Sequence, residues 1–238
     1  MKSNRNILFN RDRFDKGNRF YGRQGIAAQT AQLRVEVEAV KGKGVYDFDI
    51  KKEVKRISEK MLKRNDLFVV RAIGLALMVE STTMPGHAPL YSYPVIKPAN
   101  DGETTVALAG GLKGLATTTG HHAFALYNGS ISLKTGQQVN YSAFPTSEFL
   151  NIPEVQATAS QLPQFNQADI LIELPEEIAL AGTQDHRIQL EFPANASTDL
   201  SAETGAKTYL VLVFEGWLYE GATNDKYKVM DNPYKDVI

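Results

Sequence analysis

The chain has 238 residues, of which 43% are hydrophobic and 22% charged, with a net charge of −1 and no cysteine. This composition is typical of one large globular domain or two small ones. The lack of cysteine excludes disulfides, thiolate metal sites and cysteine nucleophiles. The early apolar run Ile7–Phe9 is too short for a secretion signal, and no window resembles a membrane-spanning helix. We therefore expect a protein that is made in the cytoplasm and carries no secretion signal.

The first 27 residues are basic, and the rest of the chain is acidic. Seven basic and two acidic side chains give residues 1–27 a net charge of +5, which leaves −6 for residues 28–238. Phenylalanines and a tyrosine are scattered through this segment without a sustained period, so we expect an extended arm that becomes ordered only against another molecule. The candidate interaction residues of this arm are Arg5, Arg11, Arg13, Lys16, Arg19 and Arg23.

Most of the remaining chain shows the alternation or the β-branched content of strands. The turn Lys41–Gly44 predicts a hairpin between the first two strands, and Asn128-Gly129 predicts another. The run Tyr209–Phe214 is apolar on both faces, which favours a position in the middle of a sheet. The predicted strands are 33–39, 46–50, 67–80, 104–109, 123–127, 130–134, 139–143, 170–174, 187–192 and 208–219.

One α-helix is expected at about 50–64, with Asp49 as its cap. Val54, Ile57, Met61 and Leu62 fall at helical spacing on one side of it. The opposite side is basic and can be a solvated surface, a nucleic-acid contact or an anionic membrane contact. The basic residues of this side are Lys51, Lys52, Lys55, Arg56, Lys60 and Lys63.

These elements predict a mainly β protein, an antiparallel two-sheet sandwich of the jelly-roll kind with one α-helix and an N-terminal arm. No β-α-β rhythm is present, which argues against a parallel sheet. The expected organisation is an arm at 1–27, a β domain at 28–221 and a polar C-terminal tail at 222–238.

No pattern of residues specifies a catalytic, cofactor or metal site. The loop Gly110–Gly114 lacks the Gly-Lys-Ser/Thr ending of a phosphate loop, and Lys134-Thr-Gly136 lacks the Ser-x-x-Lys nucleophile of β-lactam enzymes. The latter is interpreted as the end of a hairpin strand. Adjacent Glu176 and Glu177 are interpreted as solvated turn residues after Pro175. The sequence therefore predicts no enzyme.

A basic arm followed by many strands and Pro/Gly-rich loops, closed by the apolar strand Tyr209–Tyr219, resembles the jelly-roll coat proteins of viruses. These include the coat proteins of tailless, membrane-containing bacteriophages. The resemblance implies a self-assembling capsid subunit located in the virion. Its partners would be copies of itself, other virion proteins, and nucleic acid or an anionic membrane at the arm. Chain length favours a single jelly roll over a double one.

Two alternatives remain open from the sequence. The first is a carbohydrate- or ligand-binding sandwich of a virion spike or tail, with Trp217, Tyr91, Tyr93 and Tyr141 as a stacking surface. The second is a metal-dependent enzyme of the cupin kind, which would use the four histidines as ligands. These histidines are His87, His121, His122 and His186.

Overall fold

The computed structural model describes residues 11–52, 60–81, 90–91, 107–108, 112–113, 124–136, 138–150, 170–195, 198, 200 and 206–238. The α-helix α1 is Arg11–Arg23, and short 3₁₀ helices lie at Phe124–Asn128, Thr146–Phe149 and Asp225–Tyr227. The longer strands are β1 (Gln29–Glu38), β2 (Val45–Phe48), β3 (Leu67–Ser81), β7 (Ser130–Thr135), β8 (Gln138–Pro145), β9 (Leu171–Ala181), β10 (His186–Glu191) and β11 (Ala206–Tyr219). Two-residue strands are β4 (Leu90–Tyr91), β5 (Ala107–Leu108) and β6 (Leu112–Lys113).

The eight longer strands form two antiparallel sheets. Sheet A has the order β1-β11-β3, with β9 and β4 both pairing with the far side of β3, and sheet B has the order β2-β10-β7-β8. Counted along the chain, the first of the eight strands pairs with the last, the second with the seventh, the third with the sixth and the fourth with the fifth. This pairing is that of a folded ribbon rolled into two sheets, so the predicted jelly-roll sandwich is confirmed.

The space between the two sheets is filled by apolar side chains. Leu33, Leu75 and Phe214 of sheet A and Leu133 and Leu190 of sheet B belong to one buried cluster. Each of these residues alternates with an outward-facing neighbour, which is the period-2 pattern by which the sequence predicts the strands. The interior is therefore a packed core.

Two predicted hairpins differ from the structure. The turn at 41–44 connects β1 in sheet A to β2 in sheet B. Both strands place apolar side chains in the shared core, and that pattern is the same whether two strands are neighbours in one sheet or face each other across the core. Asn128-Gly129 ends a 3₁₀ helix, and the Gly129 N–H donates to Thr146 Oγ1 (2.8 Å). The hairpin turn of this region lies between β7 and β8 at Gly136, which has a φ of 56°. This position agrees with the interpretation of Lys134-Thr-Gly136 as the end of a hairpin strand.

The two described ends of the helix predicted at 50–64 are not helical. At 50–64, residues 50–52 form a turn, and Lys60 makes an isolated antiparallel bridge with Arg34. Residues 53–59 lie outside the described part of the chain. Ile50 and Leu62 are both buried, and the Leu62 N–H donates to the Ile50 carbonyl (2.8 Å), so the two described ends of this region lie side by side at the core. The helix of the described structure is α1, within the predicted arm.

Candidate functional site: the two outer faces of the sandwich

One end of the outer face of sheet A is covered by a third layer built from both terminal segments, and the other end is buried in a separate cluster with Leu90 and Ile170. We call α1 together with residues 220–238 the terminal layer. Tyr21 of α1 and Tyr227 and Tyr234 of the C-terminal segment form one buried cluster with Val69 and Tyr219 of sheet A. Residues 11–23 of the predicted arm and the predicted polar tail are thus packed segments, because their dispersed aromatic residues meet on an apolar sheet face. Residues 1–10 lie outside the described part of the chain.

Helix α1 packs through a narrow stripe of its surface. Phe14 stacks on Trp217 of β11, with ring centroids 3.8 Å apart, and Tyr21 is completely buried. Gly17 lies between them on the same side, where a Cβ atom would overlap the ring of Tyr234. The missing side chain therefore allows the helix to approach the C-terminal segment closely.

Asn232 organises the C-terminal segment. Its Nδ2 donates to the Tyr21 hydroxyl (3.0 Å) and to the Tyr227 carbonyl (2.9 Å), and its Oδ1 accepts from the Tyr234 N–H (2.9 Å). Burial raises the pKa of Tyr21 to about 12 although the bond from Asn232 opposes that rise. One buried amide thus joins α1 to the C-terminal segment.

Glu177 of β9 lies beneath the terminal layer and contacts both of its parts. Its side chain is 4% exposed, its Oε1 accepts from the Tyr234 hydroxyl (2.9 Å), and Arg13 Nε lies 3.8 Å from the same oxygen. Burial raises the pKa of Glu177 to about 7, an effect that Tyr234 and Arg13 oppose and Asp15 reinforces. Glu177 is therefore a buried residue within a strand, and its interpretation as a solvated turn residue is wrong.

Two polar atoms beside this contact are buried without a hydrogen-bond partner among the described residues. They are Oε2 of Glu177 and the hydroxyl of Tyr219. Burial, followed by the charge of Glu177, raises the pKa of Tyr219. An ionised carboxylate with one unpartnered oxygen is costly to bury, so this position favours the protonated acid.

The basic residues predicted for the arm do not form one surface. Arg13 turns inward, where its Nε donates to the Pro233 carbonyl (3.1 Å) and its guanidinium lies over the Tyr234 ring at 4.8 Å. Lys16, Arg19 and Arg23 are exposed on α1. Arg11 starts the helix, and its side chain lies outside the described part of the chain, as does the whole of Arg5.

The basic residues predicted for a helix face are likewise separated. Lys51 Nζ donates to the Gln184 carbonyl (2.9 Å) and lies 3.2 Å from Asp185 Oδ1. Lys52 and Lys63 are exposed, and Lys60 pairs through its backbone with Arg34. Lys55 and Arg56 lie outside the described residues. No continuous basic helix face is present in the described part of this region.

The outer face of sheet B is exposed and polar. Arg187 of β10 lies directly opposite Lys134 of β7, and both side chains are exposed. Val139 of β8, which is 51% exposed, lies opposite Lys134 on the other side. Within the described residues, no salt bridge offsets the repulsion between the two cations. A shallow groove of about 270 Å³ on this face is lined by Ser132, Lys134, Val139, Ser142, Arg187 and Gln189.

The aromatic residues predicted as a stacking surface are not assembled. Trp217 lies in sheet A under Phe14, whereas Tyr141 lies in sheet B, half-buried and edge-on to Phe144 with ring centroids 5.4 Å apart. The backbone of Tyr91 belongs to β4, and Tyr93 lies outside the described residues. The described structure therefore provides no shared platform for a sugar ring.

A metal site of the cupin kind finds no ligand set in the part of the chain that the structure describes. Those residues contain no group of three histidine or carboxylate side chains arranged to hold an ion. His186 Nε2 lies 2.7 Å from the Ala181 carbonyl, and burial lowers the pKa of this imidazole. His87, His121 and His122 lie outside the described residues.

Comparison with protein-family models, with curated proteins and with solved structures finds no match for this chain. No residue role can therefore be transferred from a relative to either outer face of the sandwich. None of the described helices is long and apolar enough to span a bilayer.

Proposed function

We propose that this chain is a non-catalytic structural subunit that assembles with copies of itself, of the kind found in viral coats. The observation that carries the proposal is the pair of exposed cations Lys134 and Arg187 on sheet B, to which the described residues provide no salt bridge. Like charges directly opposite each other destabilise an isolated sheet, whereas an opposite-charge pair contributes roughly 0.2–1 kcal/mol. An acidic partner lying over both cations would turn this repulsion into attraction.

A second copy of the chain supplies an acidic partner. Residues 28–238 carry a net charge of −6, so the basic patch can meet an acidic surface of the next copy. The exposed Val139 beside the patch adds an apolar contact. A contact between two different surfaces is heterologous, and such contacts build rings or larger shells when the rotation closes.

The proposal does not use the basic arm. Residues 11–23 are helical and pack on their own sheet, so the expectation that they order only against a neighbour is wrong. What remains of the resemblance is the jelly-roll strand order, which is shared by viral coat proteins, lectin domains and cupins. A fold alone does not define a function, so the sheet B face has to be tested directly.

Ligand binding is the second candidate function, and the groove on sheet B favours it. The hydroxyls of Ser132 and Ser142 and the amide of Gln189 line this groove and can bond to a polar ligand. Ser132 Oγ already donates to the Ser142 carbonyl (2.6 Å), and Gln189 Nε2 donates to Asp47 (3.1 Å). Some of the hydrogen-bonding groups that line the groove therefore already bond within the protein.

The test is to measure the molar mass of the purified protein by light scattering at several salt concentrations, with electron microscopy of the largest species. We expect oligomers at low salt that dissociate as salt rises, because the screening length falls from about 10 Å at 0.1 M to about 3 Å at 1 M. Lys134→Glu combined with Arg187→Glu should shift the population to monomers. Lys63→Glu, an exposed change away from sheet B, is the matched control and should assemble normally.

A protein that stays monomeric at high concentration in both low and high salt would contradict the proposal. Binding of a glycan to the wild type that is lost on Ser142→Ala or Gln189→Ala, without any assembly, would instead establish the second candidate function.

A further inference from the structure

Glu177 is one of the residues of the sandwich that contact both parts of the terminal layer. The carboxylate of this residue accepts from Tyr234 of the C-terminal segment and lies beside Arg13 of α1. The two parts also contact each other directly. Asn232 donates a hydrogen bond to the Tyr21 hydroxyl, and the Tyr234 ring packs against Gly17. A change at Glu177 therefore acts on both segments together.

Each part of the terminal layer is joined to the sandwich by a glycine in the left-handed region. Gly25 follows α1 with a φ of 78°, and Gly221 follows β11 with a φ of 70°. A Cβ atom at either glycine would meet no atom within 4 Å, and the Gly221 N–H donates to Asp66 Oδ1 (3.0 Å), so release of the layer has to break this bond. For the layer to leave as a unit, rotation at these two glycines must also break the bonds of Thr223 to Asn65 and Arg64, whereas the strand pairing of sheet A need not change.

We propose that the terminal layer is a releasable cover held at Glu177, and that its release exposes the outer face of sheet A to the terminal layer of a second copy. The inference rests on the proposed self-assembly, because an exchanged layer links two subunits. The face that would be exposed is apolar and already shaped to this layer, with Val69, Ala179 and Tyr219 buried beneath it. The same segment of another copy makes the same contacts, which is the principle of segment exchange.

Ionisation of Glu177 determines whether the terminal layer stays docked. The groups that face it are Arg13 and Asp15 from α1, Tyr234 from the C-terminal segment and Tyr219 from β11. Burial beneath the layer raises the pKa of this carboxyl from 4.5 to about 7, and release returns it to water. Because the docked pKa is the higher one, docking is strongest below pH 4.5 and weakens as the pH rises through 7.

Hydrogen exchange at concentrations where the protein is monomeric tests the release. After correction for the intrinsic rate, peptides from 11–27 and 222–238 should open on the order of 10²-fold more at pH 8 than at pH 5. Glu177→Gln, which keeps the acceptor for Tyr234 but cannot ionise, should flatten this profile. Glu173→Gln is the matched control, since Glu173 lies on the same strand, is 44% exposed and pairs with Arg71, and it should keep the wild-type profile.

Cross-linking of a mixture of light and heavy-isotope copies tests whether the terminal layer of a second copy binds the exposed face of sheet A. Thr223 bonds to Asn65 and Arg64, which brings the start of the C-terminal segment beside Lys63. Links between Lys226 and Lys63 should therefore become intermolecular at pH 8 in the wild type, and they should stay intramolecular in Glu177→Gln.

The outcomes separate this inference from the proposed function. A pH-independent exchange profile in the wild type overturns the release, whatever the assembly state. A pH-dependent opening without mixed-isotope links overturns the second copy as the occupant. Oligomers that depend on Lys134 and Arg187 but show neither effect overturn the inference while leaving the proposed function in place.

Discussion

The outer faces of sheets A and B differ in the polarity of their side chains. On sheet A these side chains include Val69, Ala179 and Tyr219, which are apolar or aromatic and lie beneath the terminal layer. On sheet B they include Ser132, Lys134 and Gln189, which are polar and are left open. The two sheets share one core, yet only sheet A has its outer face covered by further residues of the described chain.

This difference shows that the side chains of an antiparallel sheet determine how many of its faces have to be buried. A sheet that alternates apolar and polar residues needs one partner, whereas a sheet that is apolar on both faces needs two. Tyr219 of β11 and Val69 of β3 are buried beneath the terminal layer, while their neighbours Leu218 and Phe68 belong to the core between the sheets. The additional layer is therefore required by sheet A itself.

The largest effect is expected from Tyr234→Ala. The change removes a fully buried ring from between Gly17 and Tyr21, together with the hydroxyl that donates to Glu177. The free energy of unfolding, measured by urea denaturation, should fall by about 3–5 kcal/mol. Met230→Ala in the same segment is the control, because Met230 is 86% exposed and its loss should cost less than about 0.5 kcal/mol. Equal effects of the two changes would mean that sheet A does not need its cover.

A smaller effect is expected from Gly17→Ala, which tests how closely the cover fits. The new Cβ would overlap the buried Tyr234 ring, so we expect a loss of roughly 1–3 kcal/mol in the free energy of unfolding. Gly22→Ala on the same helix meets no atom, and it should be neutral or stabilise the protein by up to about 1 kcal/mol. If both variants behave alike, helix propensity rather than close packing controls this layer.

The smallest effect is expected from Arg187→Glu on the open face of sheet B. The change places opposite charges across the Lys134 pair, and it should raise the free energy of unfolding by about 0.2–1 kcal/mol at low salt. The gain should disappear at 1 M salt because the pair is exposed. Lys63→Glu should show no comparable gain, and a loss of stability in Arg187→Glu would indicate that this face is less open than its exposure suggests.

The sandwich could be predicted from the sequence because its signal is local. Leu33 and Val35 alternate with Arg34 and Glu36, and the observed strand β1 follows that alternation. The run Tyr209–Phe214 is apolar on both faces, and β11 lies in the middle of sheet A as expected. The order of the strands within each sheet could not be predicted in this way, because a strand with inward-facing apolar side chains fits equally well in either sheet.

The terminal layer could not be predicted because its signal is not local. Phe14 and Tyr21 lie at helical spacing, but Gly17 between them has the character of a helix breaker until the Tyr234 ring occupies the space beside it. Glu177 follows a proline and another glutamate, which favours a solvated turn in the absence of its distant partners. Aromatic residues in both charged terminal segments were the available clue, and they indicate burial only when the two segments are considered together.

The outermost pairing of the ribbon has a consequence for how the protein is made. Gln29 pairs with Leu218, so strand β1 must wait until strand β11 has left the ribosome before it finds its neighbour. Folding rates fall as the average sequence separation of contacts grows, and unpaired strand edges invite aggregation in the meantime. We therefore expect slow folding, with a yield that depends on temperature and on chaperone supply during expression.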